Sequence, residues 1–280
     1  MSRIAQTFTN LSLKGQKALI PYVSCGDPSL EFTEQLVLKL VEAGADLVEL
    51  GVPYSDPVAD GPTIQKASQR ALAGGITLEK IFQLAARLRS RMETPLILMT
   101  YYNPIYRFGL ERFVSRAQEA GIDGLIVPDL PPEEAGILKQ ITDPAEIDLI
   151  LLAAPTSTAE RMEKIAALAR GFIYCVSVTG VTGSRENIAS GLEAFLAQIR
   201  SHTDLPLAVG FGIKSPETAG KAAAIADGVI VGSSLIERIE ENLPLVKDEP
   251  ERVINEVCAY LASVKKAMGN THFAMNKILL

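Results

Sequence analysis

The chain has 280 residues, 48% of them hydrophobic, and a formal charge of −6. That length and apolar content fit one large domain or two small ones, and the mild acidity argues against a nucleic-acid surface, which needs clustered Lys and Arg. Apolar runs are broken by Gly, Pro or charge well short of a membrane span, residues 1–9 lack the apolar segment of a secretory signal, and Cys25, Cys175 and Cys258 are scattered without metal spacing, as suits a reducing cytoplasm.

Residues 17–23 read as a first strand, although Pro21 would remove a ladder donor from a central strand. A helix opens near Ser29, with Phe32, Leu36 and Leu40 on one face, and Gly44 ends it. Leu47-Val48-Glu49-Leu50 is a second strand whose one polar residue is Glu49. Gly51 and Pro53 stop it. A stiff loop containing Pro53, Pro57 and Pro62 then carries Asp56 and Asp60 to a helix over 63–73. Residues 78–91 form the next amphipathic helix and 96–100 a third strand, with Tyr101-Tyr102-Asn103-Pro104 opening its loop. Helices over 110–120, 133–141, 158–169, 192–201, 215–224, 235–240 and 252–266 alternate with strands over 124–127, 148–152, 172–176, 207–210 and 228–231. A loose tail, 270–280, follows a 1–269 domain.

A helix end, a short turn with Asp, then an apolar strand recurs at Asp46, Asp123 and Asp227. Eight strands alternating with helices in one domain predict a closed parallel (β/α)8 TIM barrel. An open doubly wound sheet is the rival, and the absence of Gly-x-Gly-x-x-Gly after the first strand weakens its dinucleotide-binding form.

In such a barrel the active site lies at the carboxyl ends of the strands. Glu49 sits there. Burying an ionised carboxylate without a partner is expensive, so either it pairs with a Lys or Arg or it serves chemistry, and residue chemistry alone leaves both readings open. Asp60 and Asp56 precede turns, where Asp is a common turn former. Two histidines, His202 and His272, lie away from strand ends, which leaves acid–base work to carboxylates. Gly210-Phe211-Gly212 after the seventh strand and Gly232-Ser233 after the eighth predict a phosphate site made of backbone N–H groups and a helix N-terminus. Thr182-Gly183 can reach the same pocket. Tyr22, Thr100, Tyr174 and Phe211, near the same ends, would suit a flat aromatic ligand, with core filling as the plainer role. Asp129, Glu133 and Glu134 lack a His or Cys partner and read as a solvated helix start, so no metal is expected.

The run from Glu49 to Pro62 resembles the signature Glu-x-Gly-x-Pro-aromatic-Ser-Asp-Pro-x-Ala-Asp-Gly-Pro of the tryptophan synthase alpha chain family. Asn103-Pro104, Val127-Pro128-Asp129-Leu130-Pro131, Ala154-Pro155-Thr156, Gly180-Val181-Thr182-Gly183 and Val209-Gly210-Phe211-Gly212-Ile213 are similar to family segments, so the likeness covers nearly the whole length. Tyr22 and Tyr54 stand where many relatives would carry Phe. The resemblance implies a (β/α)8 barrel that splits indole-3-glycerol phosphate into indole and glyceraldehyde 3-phosphate. It implies catalysis by Glu49 and Asp60, and phosphate held at Gly183, Gly212, Gly232 and Ser233. It further implies an alpha2beta2 assembly whose beta chain receives the indole and owns the pyridoxal phosphate, so this chain needs no cofactor. Partner contacts are expected at Pro53, Asp56, Asn103 and Pro104, and residues 177–189 are expected to act as a lid locked through Thr182. A stand-alone lyase releasing free indole, another phosphate-binding barrel such as a sugar-phosphate isomerase, and a non-catalytic activating barrel are the alternatives.

Overall fold

Each strand is a short run dominated by apolar residues, and nearly every residue in these runs is buried, as strands between a barrel core and a helix ring must be. The computed structural model describes residues 1–176, 185–210 and 212–269, with the backbone alone at 185–190. Strands β1 (Ala18–Ser24), β2 (Val48–Gly51), β3 (Leu96–Met99), β4 (Gly124–Ile126), β5 (Asp148–Ala153), β6 (Ile173–Val176), β7 (Leu207–Gly210) and β8 (Gly228–Val231) pair in parallel, in chain order, and β8 closes on β1. Around them run α1 (Arg3–Leu13), α2 (Leu30–Glu42), α3 (Pro62–Ala73), α4 (Leu78–Arg89), α5 (Tyr102–Phe108), α6 (Leu110–Glu119), α7 (Ala135–Thr142), α8 (Ala159–Leu168), α9 (Arg185–Arg200), α10 (Pro216–Ile225), α11 (Ser233–Glu241), α12 (Leu243–Val246) and α13 (Pro250–Gly269). This is the (β/α)8 barrel that the alternation predicts. The open-sheet rival is excluded by the closure.

Pro21 does not displace β1 from the sheet. Ala18–Pro21 pair with β8, while Tyr22–Ser24 pair with β2, so the proline sits on the last rung of one ladder before the other begins. Two expectations need correction, and one helix comes in addition to the expected elements. Residues 101–104 do not open a loop: Tyr102–Phe108 is helical. Pro104 falls in its first turn, where the N–H that proline lacks has no intrahelical partner anyway. The N-terminal residues form α1, capped by the Ser2 hydroxyl accepting from Ala5 N at 3.2 Å. Its Ile4, Phe8 and Leu11, spaced for one helical face, plug the amino end of the barrel, with Phe8 and Phe172 ring centroids 5.5 Å apart. Gly124 makes room for this plug, since a Cβ there would stand 2.8 Å from the Ile4 Cδ1. The last helix runs to Gly269, beyond the expected 266, and the tail after it lies outside the described residues.

The recurring Asp has a single structural meaning. Asp46, Asp123 and Asp227 each clamp the preceding strand at two points. Their N–H groups donate to the carbonyls of Leu19, Leu96 and Leu207 at 2.9, 2.8 and 2.8 Å. Their carboxylates accept from the N–H groups of the same three residues at 2.7, 2.8 and 2.9 Å. Each carboxylate also has a cation: Lys265 on Asp46, Arg89 and Arg3 on Asp123, Arg200 and Lys17 on Asp227. The repeat thus fixes the amino end of the barrel and leaves the carboxyl end to the loops.

Candidate active site

Side chains two apart share a face of a strand, and the inward set follows from that alternation. Ile20, Leu47, Ile97, Phe172, Ala208 and Ile230 belong to the inner core. Two residues on, Tyr22, Glu49, Met99, Tyr174, Gly210 and Gly232 face the same way toward the carboxyl end. Register sets Tyr22 beside Glu49 and Glu49 beside Ile97. The rings fold over glycines: a Cβ at Gly51 would stand 2.1 Å from the Tyr22 hydroxyl, and one at Gly210 2.3 Å from that of Tyr174. Only glycine admits the rings there.

Above this layer is a cavity of about 150 Å³. It brings together Glu49, Asp60, Tyr22, Tyr174, Gly212, Gly232 and Ser233 from five different strands or the loops after them. Thr100 is not part of it. The same alternation that turns Met99 inward turns Thr100 away, and its buried hydroxyl donates to the Tyr101 carbonyl at 3.4 Å. Thr182, Gly183 and Phe211, and most of the expected lid, lie outside the described residues. Of the expected partner contacts, Asp56 and Asn103 are exposed, Pro104 is half-buried and Pro53 is buried.

Glu49 is 1% exposed, and its Oε2 has no hydrogen-bond partner among the described residues. Burial pushes its carboxyl up to about 8, and the nearby Asp60 charge adds to the shift. The pairing with Lys or Arg that the sequence left open is absent among the described residues. Asp60 is also raised by burial, against which a hydrogen bond from the Tyr101 hydroxyl pulls it down. Cys25 and Cys175 are buried, with thiols pushed up to about 12 by that burial, which fits small core residues better than nucleophiles.

The loop that carries Asp60 is held from two sides. Gln65 Nε2 donates to the Asp60 carbonyl at 2.9 Å, and the Ala59 N–H donates to the Tyr101 hydroxyl at 3.0 Å. The Tyr101 ring stacks on Tyr54 with centroids 5.0 Å apart, and the Tyr54 hydroxyl accepts from Asn103 Nδ2 at 3.1 Å. A chain of contacts therefore runs from exposed Asn103 on α5 to Asp60. Sequence reading missed Tyr101, which it placed in a loop, and Met99 and Lys214, which line the cavity. Strict alternation from Ile97 would have found Met99. Nothing in the local sequence marks Tyr101.

Fold and site together define a (β/α)8 barrel of the enzyme kind, with a cavity at the carboxyl ends of its strands that holds a buried carboxylate. A family model described as tryptophan synthase alpha chain matches residues 8–269. The tryptophan synthase alpha chain of Geotalea uraniireducens is 52% identical over 270 residues, 96% of this chain and 100% of the relative. That of Geobacter sulfurreducens is 47% identical over the same shares. The crystal structure of tryptophan synthase subunit alpha from Legionella pneumophila superposes with a TM-score of 0.89 at 42% identity, covering 96% of this chain and 99% of that one. The chain belongs to the tryptophan synthase alpha chain family. Its reaction is a carbon–carbon lyase step, the cleavage of indole-3-glycerol phosphate in tryptophan biosynthesis.

Proposed function

We propose that Glu49 and Asp60 carry this cleavage, in a cavity whose other end holds the substrate phosphate. The observation that carries the reading is Glu49 itself, an acid that is buried, unpaired among the described residues and shifted to about 8 beside Asp60. At neutral pH it is protonated, so it can give its proton to indole C3 and make a cationic indolenine. Asp60, as the carboxylate, accepts the indole N–H bond and stabilises the growing positive charge. Glu49, now ionised, takes the proton of the side-chain hydroxyl next to C3. The electrons of the O–H bond form the C=O of glyceraldehyde 3-phosphate, and the electrons of the broken C–C bond restore the indole ring. Backbone N–H groups at Gly212, Gly232 and Ser233 face the phosphate, with the N-terminus of α11 behind them. Lys214 is the one cation among the cavity's described lining residues, and it offsets the two carboxylates as a dianion enters.

This chemistry calls for no cofactor in the chain. The pyridoxal phosphate of the following condensation belongs to a beta-chain partner in an alpha2beta2 assembly, which docks near Asp56 and Asn103 and receives the indole. Both relatives described above carry the alpha-chain name, which supports a partner-dependent enzyme over a stand-alone lyase. No helix among the described residues is long and apolar enough to cross a membrane, and the setting proposed is the cytoplasm. The test is indole release by the purified chain with and without a beta chain. Low turnover alone that rises on adding the partner supports the reading; full turnover alone replaces it with the stand-alone lyase.

A further inference from the structure

Behind the phosphate end of the cavity lies a set of contacts that the reaction itself does not use. Ser234 is 2% exposed and stands in the first turn of α11, one residue after the Gly232-Ser233 turn. Its hydroxyl donates to the Ile213 carbonyl at 3.2 Å and accepts from the Tyr260 hydroxyl at 3.1 Å. Tyr260, on α13, is itself fixed. The Arg238 guanidinium lies over its ring, 3.5 Å from the centroid, and Arg238 Nη1 donates to the Ser234 carbonyl at 2.7 Å. One buried hydroxyl thus ties the turn after β7 to the helix start after β8. Those are the two backbone segments whose N–H groups must converge on one anion. Neither Ser234 nor Tyr260 lines the cavity. A buried hydroxyl costs stability unless bonded, and an alanine would fill a first helical turn as well. The serine is therefore explained by what it joins.

We propose that Ser234 and Tyr260 form a brace that sets the spacing of the Gly212-Ile213 and Gly232-Ser233 turns, and so act as positioning residues for the substrate phosphate. This rests on the phosphate reading above. Small displacements of preorganised donors weaken charge recognition steeply, because the donors no longer meet the anion together. The brace also makes α13, far along the chain, part of the binding apparatus.

The experiment compares Ser234→Ala, Tyr260→Phe, the double variant and Gly232→Val in steady-state cleavage, with inorganic phosphate as competitive inhibitor. Losing the shared hydrogen bond should raise KM for the phosphorylated substrate about fivefold, raise the phosphate inhibition constant equally, and leave kcat within about twofold. The double variant should be no worse than Ser234→Ala, since that change already removes the one bond that Tyr260→Phe breaks. Tyr260→Phe keeps the ring under Arg238, so it reports even if Ser234→Ala folds poorly. Unchanged KM and phosphate inhibition in both single variants, with melting like the parent, overturns the brace. A raised KM in Gly232→Val alongside such silence condemns the brace alone; an unchanged KM there condemns the phosphate reading as well.

Discussion

Two groups of acids at opposite ends of the barrel are held in opposite ways, although the carboxyl end also has Asp27, buried and paired with Arg70 through two hydrogen bonds. At the amino end Asp46, Asp123 and Asp227 are each held by a backbone N–H and at least one Lys or Arg, and Asp148 bonds Ser2 and pairs with Arg170. At the carboxyl end Glu49 and Asp60 have no cation partner among the described residues, and burial raises both. On the reading proposed above, the contrast separates stability from function. A satisfied carboxylate anchors a strand; an unsatisfied one keeps its proton available. Each substitution below tests one side of that division.

The largest effect is expected at Glu49. Glu49→Gln removes the proton donor while keeping shape, so cleavage should fall by about 10²–10⁴-fold, with the barrel intact by circular dichroism. Stability provides the sharper check. Glu49 titrates near 8 when folded, against an ordinary value of 4.5. Between those values the folded state binds more protons, so the contribution of Glu49 is complete below the lower value and is lost as pH rises through the upper one. The Gln variant should therefore melt above the parent near pH 8 and lose that advantage near pH 4.5. The parent's kcat/KM should decline above about 8 as the proton is lost. A folded Gln variant with near-parental turnover would remove Glu49 from the mechanism.

Asp60→Asn comes next. The amide oxygen can still accept the indole N–H without the full charge, and losing one such stabiliser costs about 2.7–4 kcal/mol, or about 10²–10³-fold in kcat. A loss under about tenfold would return Asp60 to the role of turn former.

The amino end should answer in the other currency. Asp123 is 6% exposed and accepts from Leu96 N, Arg89 and Arg3. Asp123→Ala leaves the half-buried Arg89 uncompensated and should cost about 3–5 kcal/mol of stability in urea unfolding. Its kcat and KM should match the parent's at temperatures where the variant is folded. A selective loss of kcat with normal stability would break the comparison between the ends.

The sequence displays this division unevenly. The strands are legible because each is a short apolar run between breakers, and the repeated Asp marks the αβ turns, though its two-point clamp shows only in three dimensions. Glu49 stands out as one charge in an apolar strand. Thr100 lies near a strand end, which suggests the cavity, whereas the period of two that turns Ile97 inward selects Met99. The α1 helix carries a readable stripe at Ile4, Phe8 and Leu11, short enough to pass for an irregular N-terminal segment. Tyr101 and Tyr260 had no local mark, because their importance lies in residues 42 and 26 positions away that the fold brings to their hydroxyls.

Tyr101 gives the smallest expected effect and the finest test. It is 4% exposed, and its hydroxyl holds the Ala59–Asp60 segment from the β3 side of the barrel. Tyr101→Phe keeps the stack on Tyr54 and deletes only the hydroxyl, so kcat should drop about five- to tenfold, the worth of one buried hydrogen bond, with KM little changed. A packing role and a positioning role are told apart by pH. The Tyr101 hydrogen bond holds the Asp60 carboxyl below where burial alone would place it. Without it Asp60 stays protonated to higher pH, so the acidic limb of kcat/KM should move upward in the Phe variant. Asn103→Ala, one contact further out through Tyr54, should shift the same limb less. A kcat loss with an unmoved acidic limb would make Tyr101 a packing residue, and the path from exposed α5 to Asp60 would then carry no electrostatic information to the site.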